Sequence, residues 1–264
     1  MADGVSEHAG TAFQAQPVVD NYRFRPPYPA QLYQLLIASL PPGGWLLDIG
    51  CGPGQIARNL SRYCDRVVAV DPSLAMLALA RSLEHGQAAN IDWLHGKAED
   101  AELGSARFAM VVAANSIHWM ETDRLFARLK NHVARQHCFA VISGDDAHDP
   151  AWRADWVPFL VKWIPIATGE RFDLERKSAE WSAYKHHLDI ELSQTLISSP
   201  QTQSVADFIA CQHSRDAFAP ARLGERMAEF DAELRELLVP HADSQDRLRF
   251  CTKSELTAGR LRGI

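Results

Sequence analysis

The sequence predicts a doubly wound α/β fold with a mostly parallel seven-stranded sheet and a helical cap. Two observations predict it. Short, mostly apolar runs alternate with helical stretches from residue 45 to residue 143, and a glycine-rich turn at 48–54 joins the first run to the next helix. Parallel strands need crossover connections, which are usually helical, so this alternation is typical of a parallel sheet. The chain has 264 residues, 47% of them hydrophobic, enough for one substantial core and a single domain over 1–264.

The N-terminal part precedes the alternating series. Residues 1–20 show no clear periodicity, and a proline-rich segment follows at 25–29, so we predict an arm that leads into an ordered hook. Apolar residues then recur at helical spacing from Ala30 to Leu40, where a Pro-Pro-Gly-Gly run ends the helix. We therefore assign residues 1–44 to an N-terminal arm and helix.

The next part, residues 45–144, is the predicted cofactor-binding core. Its strands are predicted at 45–49, 67–70, 91–94, 108–113 and 138–143, and its helices at 56–63, 74–83 and 123–134. Each apolar run is followed by a turn and a helical pattern, which is what a βαβ series requires.

After Gly144 this rhythm stops, and residues 145–240 are predicted to form a cap or insertion that includes a late strand at 188–197. Trp152, Trp156 and Trp163 share one helical face, a pattern that either core packing of the cap or an aromatic pocket lining would explain. Further helices are predicted after Ser204, which is followed by an acid three residues on, and over 222–238. Residues 241–264 are predicted to contain the closing strand, near 248–261.

Composition bounds the function. The net charge of −6 disfavours a nucleic-acid partner, because phosphate backbones need a basic surface. No run approaches the roughly 20 apolar residues that cross a bilayer. The five cysteines are odd in number and widely spaced, which indicates free thiols in a reducing compartment, so we expect a cytoplasmic protein. His186 and His187 lack further ligands at metal spacing, and we predict no metal.

The turn at 48–54 carries the strongest chemical signal. Glycines between a strand and a helix let a ligand approach the backbone, and the helix N-terminus offers free N–H groups. Asp71 ends the second strand, roughly 20 residues after the glycines, where a carboxylate can accept hydrogen bonds from ribose hydroxyls. Together these features predict a nucleotide-like ligand.

Two details separate S-adenosylmethionine from a dinucleotide. The third glycine of the dinucleotide fingerprint would fall at position 55, which is Gln55. Asp48 ends the first strand against the turn, where its negative charge would oppose a pyrophosphate but suit the ammonium of a methionine moiety. S-adenosylmethionine is therefore favoured, and a NAD-dependent oxidoreductase is the less favoured alternative.

Four segments resemble the class I S-adenosylmethionine-dependent methyltransferases: 48–54, 70–73, 96–100 and 115–119. The chain is most similar to the small-molecule branch related to trans-aconitate methyltransferases, whose members tend to show an Arg-Pro-x-Tyr-Pro hook before the first helix and a His-Trp pair after the fourth strand. The similarity covers residues 20–144. It implies a Rossmann-like fold, S-adenosylmethionine as cofactor and S-adenosylhomocysteine as product.

The resemblance also implies which residues bind the cofactor. The glycines of the turn would line its methionine part, Asp71 would hold the ribose, and Ala98 and Glu99 would edge the adenine. Leu74 and Met76 would form an apolar adenine wall or belong to the helix core. The full set implied is Asp48, Gly50, Cys51, Gly52, Gly54, Asp71, Pro72, Ala98, Glu99 and Asn115.

The residues after the fourth strand are expected to face cofactor and acceptor, at the sheet edge where doubly wound folds bind ligands. His118 would act as a general base, or it would position the acceptor or cap a helix. A methyl sulfonium is already a strong electrophile, so holding donor and acceptor in line can supply most of the rate. The expected acceptor-binding residues are Tyr22, Arg25, Tyr28, Ser116 and Trp119.

Arg25 has two interpretations: bidentate binding of a carboxylate, or a solvated arginine in a proline-rich turn. The predicted function is transfer of a methyl group from S-adenosylmethionine to an O, N or C atom of a small molecule. A protein that binds S-adenosylmethionine without methyl transfer, as a partner subunit or a non-methylating enzyme, is the alternative.

Overall fold

The computed structural model describes residues 10–173 and 182–264. Its strands are β1 Trp45–Ile49, β2 Arg66–Asp71, β3 Ile91–His95, β4 Phe108–Ala114, β5 Val133–His148, β6 Leu188–Ile197, β7 Gln201–Ser204 and β8 Arg247–Leu261. Its α-helices are α1 Gln16–Asn21, α2 Ala30–Ser39, α3 Gln55–Leu60, α4 Leu74–Ser82, α5 Thr122–Leu129, α6 Arg153–Thr168, α7 Val205–His213, α8 Pro220–Leu223 and α9 Met227–Leu238. Residues 1–9 of the predicted arm and 174–181 of the predicted cap lie outside the described residues.

The sheet has the order β3-β2-β1-β4-β5-β8-β6, and β7 pairs with β8 beside this path. Strands β1 to β5 pair in parallel, whereas β8 runs antiparallel to β5, β6 and β7. The doubly wound, mostly parallel fold is confirmed. β2 lies on one side of β1 and β4 on the other, so the strand order reverses at β1. The carboxyl ends of β1 and β4 therefore frame a crevice that suits a ligand.

Alternating strand residues enter two apolar clusters on opposite faces of the sheet, as the period of two in a strand requires. Leu46 of β1 packs in one cluster with residues of α2, α3 and α4. Its neighbour Leu47 packs in the other cluster with residues of α5. Both are fully buried, so β1 is covered by helices on both faces and its end is held firmly in place.

A third apolar cluster lies in the cap and joins α6, α7 and α9 to β8. Trp152 and Trp163 are fully buried there, which supports the core-packing interpretation of the tryptophan series. Trp156 stacks on Phe159, with ring centroids 5.4 Å apart. The cap therefore has an apolar core of its own.

Some element boundaries differ from the predictions. The predicted strand 138–143 is much longer: β5 continues to His148 across the predicted core–cap boundary at 144–145. The predicted helix 123–134 ends at Leu129, because the backbone N–H of Phe108 already bonds to the carbonyl of His132 beside β5. The predicted helix 222–238 is interrupted at Gly224, whose φ of 53° and ψ of −130° are essentially open to glycine alone.

The sheet also contains one strand more than the seven predicted, since β7 pairs with residues 247–250 of β8.

All five cysteines are unpaired. Within the described ranges, none of the helices combines the length and the apolar content that crossing a membrane requires.

Candidate active site

The turn after β1 brings glycine backbone close to two side chains. A Cβ on Gly54 would lie 2.2 Å from the ring of Trp93, and a Cβ on Gly50 would lie 2.5 Å from the Cβ of Ser116. A Cβ on Gly52 would meet nothing nearer than the Tyr22 hydroxyl, at 3.7 Å. The turn is thus packed against the protein at both ends, and its middle is open to a ligand.

Asp48 lies at the end of β1 and is only 1% exposed. Its Oδ2 accepts a hydrogen bond from the backbone N–H of Ala57 at 3.0 Å, whereas its Oδ1 is buried without a hydrogen-bond partner among the described residues. Burial, and next the charge of Asp71, raise its pKa from 3.8 to about 7, against the effect of the Ala57 bond. A buried carboxylate oxygen of this kind fits the ammonium group of a methionine moiety.

Asp71 ends β2 and is buried beside the turn. Its Oδ2 accepts from the N–H of Gly52 and its Oδ1 from the N–H of Ser73, both at 2.8 Å. Burial raises its pKa, and the two backbone bonds oppose that shift. Each carboxylate oxygen keeps a second lone pair, so the group can hold ribose hydroxyls while it fixes the turn.

The residues predicted to lie beside the adenine differ in exposure and in their contacts. Leu74 is 62% exposed and Met76 only 1%, so of these two only Leu74 presents surface to a ligand. Ala98 is buried, and the Glu99 side chain accepts a hydrogen bond from the N–H of Glu121 at 2.8 Å. The Pro72 carbonyl lies 3.1 Å from a ring nitrogen of His95. Glu99 thus anchors the start of α5 with its carboxylate.

Asn115 and Ser116 follow β4 and connect the strand ends. Asn115, with a φ of 51°, donates to the hydroxyl of Tyr28 at 3.1 Å and accepts from the N–H of Gly144 at 2.9 Å. Ser116 is buried, and its hydroxyl donates to the carbonyl of Ile49 at 2.7 Å. The hydroxyl of Ser116 thus holds β4 to β1, and the expectation that Ser116 binds the acceptor stays a prediction.

His118 and Trp119 form a short 3-10 helix after Ser116, and both are half-buried with ring centroids 4.4 Å apart. The N-terminal arm reaches them: Phe13 lies edge-to-face on Trp119 at 5.8 Å. The carbonyl of Phe13 accepts a hydrogen bond from the hydroxyl of Ser73 at 2.8 Å. The arm thus spans the ends of β2 and β4, a contact for which the sequence gives no local signal.

Arg25 is engaged inside the protein. Its Nε and Nη2 donate to the hydroxyl and carbonyl of Ser214 at 2.9 and 2.7 Å, and its Nη1 lies 3.3 Å from Asp145 Oδ2. Its guanidinium carbon lies 4.3 Å from the centroid of the Tyr22 ring. Arg25 is therefore not the solvated arginine of the second interpretation, because its guanidinium group fixes the hook. Its binding of a ligand carboxylate stays a prediction.

Asp145 is the centre of this buried network and was not predicted. Its Oδ1 also lies 3.0 Å from Nη1 of Arg215. Burial acts to raise its pKa, but Arg215 and Arg25 outweigh burial and lower it. Asp145 and Arg25 are 120 residues apart, so no spacing rule in the sequence could have paired them.

The prediction of no metal rested on the lack of a third ligand beside His186 and His187. The structure places the Asp123 carboxylate next to both rings. Sequence spacing could not show this, because Asp123 comes from α5 and the histidines from the segment before β6.

Parts of the chain are similar to known proteins. Residues 46–136 match the family model of a methyltransferase domain. A probable S-adenosylmethionine-dependent methyltransferase of Saccharomyces cerevisiae is 32% identical over 98 residues, covering 36% of this chain and 34% of that protein. The ubiquinone biosynthesis O-methyltransferase of Azorhizobium caulinodans is 25% identical over 151 residues, covering 56% of this chain and 59% of that protein. The chain thus spans less than two thirds of the length of these curated relatives.

A solved structure extends the similarity to most of the chain. A proposed type II methyltransferase from Anaeromyxobacter dehalogenans is 25% identical, with a TM-score of 0.69, and the match covers 89% of this chain and 97% of that one. The class I resemblance is thereby confirmed. Together these findings show a class I methyltransferase fold in this chain and a match of residues 46–136 to a methyltransferase domain.

Proposed function

We propose that the chain transfers a methyl group from S-adenosylmethionine to an O, N or C atom of a small-molecule acceptor. The observation that carries this proposal is the environment of Asp48, which lies at the end of β1 beside an open turn. Its buried Oδ1 has no hydrogen-bond partner among the described residues. A carboxylate in that position costs stability unless a ligand cation reaches it. The ammonium group of the cofactor supplies that cation.

The chain's own residues would hold the cofactor in order along the sheet edge. Asp48 would accept from the ammonium group, the backbone at Gly52 would leave room for the chain of the methionine part, and Asp71 would accept from the ribose hydroxyls. When bound, S-adenosylmethionine supplies an electrophilic methyl group. The protein then has to hold an acceptor atom in line with that methyl and exclude water.

The acceptor would bind among aromatic groups that the hook and the arm bring to the end of β4. Trp119 and Tyr22 supply apolar faces, and Tyr28 is positioned by its hydrogen bond from Asn115. His118 would lie beside the acceptor, where it orients a hydroxyl or amine and accepts its proton. In-line attack forms the bond from acceptor to methyl and breaks the bond from methyl to sulfur, leaving S-adenosylhomocysteine.

Three observations support a small-molecule acceptor. The Arg-Pro-x-Tyr-Pro hook and the His118-Trp119 pair resemble the branch related to trans-aconitate methyltransferases, and the Azorhizobium caulinodans relative is named for O-methylation in ubiquinone biosynthesis. The net charge of −6 also disfavours a nucleic-acid acceptor.

Thermal-shift measurements with S-adenosylmethionine, S-adenosylhomocysteine and NAD test the cofactor. We expect the first two to raise the melting temperature and NAD to leave it unchanged. Incubation with isotope-labelled cofactor and a metabolite extract, followed by mass spectrometry, tests the transfer. Stabilisation by NAD alone would overturn the cofactor assignment, whereas tight cofactor binding without any methylated product would indicate a binding protein that does not transfer methyl groups.

A further inference from the structure

Three potential metal ligands converge on the side of α5. Oδ1 of Asp123, in the first turn of α5, lies 3.0 Å from Nε2 of His187 and 3.6 Å from Nε2 of His186. The two histidines end the 3-10 helix Ala183–His187, directly before β6. Within residues 10–173 and 182–264, this is the one group of three such side chains whose ligand atoms all lie within 4.8 Å of one another.

These separations are those of ligands around one small ion. With metal–nitrogen and metal–oxygen bonds of about 2.0–2.1 Å, two ligands of a tetrahedral zinc ion lie about 3.3 Å apart. The two nitrogen-to-oxygen distances, 3.0 and 3.6 Å, fall on either side of that value. The cluster would therefore need only small side-chain adjustments to coordinate an ion.

The His187 ring is held in place for such a role. It stacks on Phe126 of α5 with ring centroids 4.4 Å apart and an interplanar angle of 13°. Its Nε2 is buried and makes no hydrogen bond of good geometry within residues 10–173 and 182–264, although the Asp123 carboxylate is close. The side chains of Asp123 and His186 are 90% and 62% exposed, so an ion can reach the buried nitrogen from solvent.

We propose that Asp123, His186 and His187 bind one divalent ion of the zinc type. Two imidazoles and one carboxylate are a ligand set that zinc accepts, and calcium and magnesium prefer all-oxygen sites. A water molecule would fill the fourth position. The ion would tie the first turn of α5, which follows His118 and Trp119, to the segment that leads into β6.

Isothermal titration calorimetry of the tag-free full chain with Zn²⁺ tests the proposal. We expect one site per chain, and at least tenfold weaker binding in Asp123→Asn and His186→Ala. Both substituted side chains are exposed, so these variants should fold. Co²⁺ provides a second readout, because a four-coordinate site gives strong visible absorption that a six-coordinate aqueous ion does not.

His85→Ala is the matched control. His85 is also an exposed histidine beside a carboxylate, with its Nε2 3.4 Å from Glu84, but it lies in a different part of the chain. Zn²⁺ affinity should be unchanged in this variant. Binding that is equally strong in Asp123→Asn, His186→Ala and His85→Ala, or no saturable binding in the unmodified chain, would overturn the proposal.

Discussion

In the protein without its cofactor, Asp48 has a carboxylate oxygen available to a cation and a raised pKa, which favours the uncharged form. Its carboxylate is available to an ammonium group because Oδ1 has no hydrogen-bond partner in the part of the chain that the structure describes, and the same burial raises its pKa to about 7. The folded state therefore binds a proton more readily than the unfolded chain. Cofactor binding and the pH dependence of stability therefore both depend on the buried carboxyl group of Asp48.

Asp48→Asn tests this at the level of stability. Between pH 3.8 and about 7 the folded state holds more protons than the unfolded state, so the contribution of Asp48 makes the free energy of unfolding fall as pH rises. The slope is at most about 1.4 kcal/mol per pH unit. We expect the variant to gain stability relative to the unmodified protein from pH 5 to pH 7, measured by urea unfolding without cofactor.

The same variant should bind S-adenosylhomocysteine more weakly, by roughly 10- to 100-fold, because a charged hydrogen bond of about 1.5–3 kcal/mol is lost. Calorimetry at pH 7.5 measures this. A constant stability difference across the pH range, with unchanged affinity, would contradict the role given to Asp48.

Position 54 favours glycine for two reasons, its φ of 72° and the close approach of the Trp93 ring. In Gly54→Ala the new methyl would lie 2.2 Å from the Trp93 ring, so the ring or the turn has to move. Gly169→Ala is a matched control, because Gly169 has a φ of 73° and open space around it. We expect Gly54→Ala to cost about 1–3 kcal/mol more than Gly169→Ala in urea unfolding. Equal costs would show that backbone strain alone matters.

At the level of elements, the hook is joined to β5 and to the end of α7 by the Arg25–Asp145–Arg215 network. Asp145→Asn would remove the carboxylate that pairs with Arg25 and one of the two that pair with Arg215, which keeps Asp146 at 3.1 Å. We expect a loss of about 3–5 kcal/mol at pH 7. Because the pKa of Asp145 is lowered in the folded state, the pairing stabilises at neutral pH and is lost as pH falls below about 4. The difference between variant and unmodified protein should therefore shrink in acid.

Glu229→Gln serves as the control for this prediction, since Glu229 and Arg226 form an exposed pair on one helix turn. The free energy of unfolding of Glu229→Gln should be nearly the same as that of the unmodified protein. If Asp145→Asn were equally mild, the network would not be what holds the hook.

The arm is a second element whose contacts suggest a function. Phe13 contacts Trp119, and its carbonyl is bonded by Ser73, so the arm crosses the edge at which we place the cofactor. Phe13→Ala should raise the dissociation rate of S-adenosylhomocysteine roughly five- to tenfold, as expected for the loss of one aromatic pair. Stopped-flow displacement measures this rate. Tyr63→Ala removes an exposed ring elsewhere, and an equal effect there would refute a specific role for Phe13.

At the level of the whole molecule, β5 and β8 belong to both the sheet and the cap. β8 pairs with β5 along its second half and with β7 along its first four residues, where the cap cluster lies. We expect the sheet and the cap to unfold in one transition. Hydrogen exchange in rising urea should expose α6 and β1 together, and separate midpoints would contradict this expectation.

Most of the central fold could be predicted from the sequence because its signals are local. Apolar runs, the glycine turn and Asp71 follow one another along the chain, and each short segment carries its own pattern. The cap was predicted less accurately. The long β5, the added β7 and the break at Gly224 depend on pairing with β8 or on a backbone conformation that an amphipathic pattern conceals.

The parallel sheet, the glycine turn and the two carboxylates that end β1 and β2 could be predicted from the sequence, because strand period and turn chemistry act over a few residues. The contacts of Arg25 and Ser116, and the approach of Asp123 to His186 and His187, become visible only in the folded chain. Those contacts join residues that are distant in the chain. Strand order and helix packing bring these residues together, and neither can be read from the local spacing of residues in the sequence.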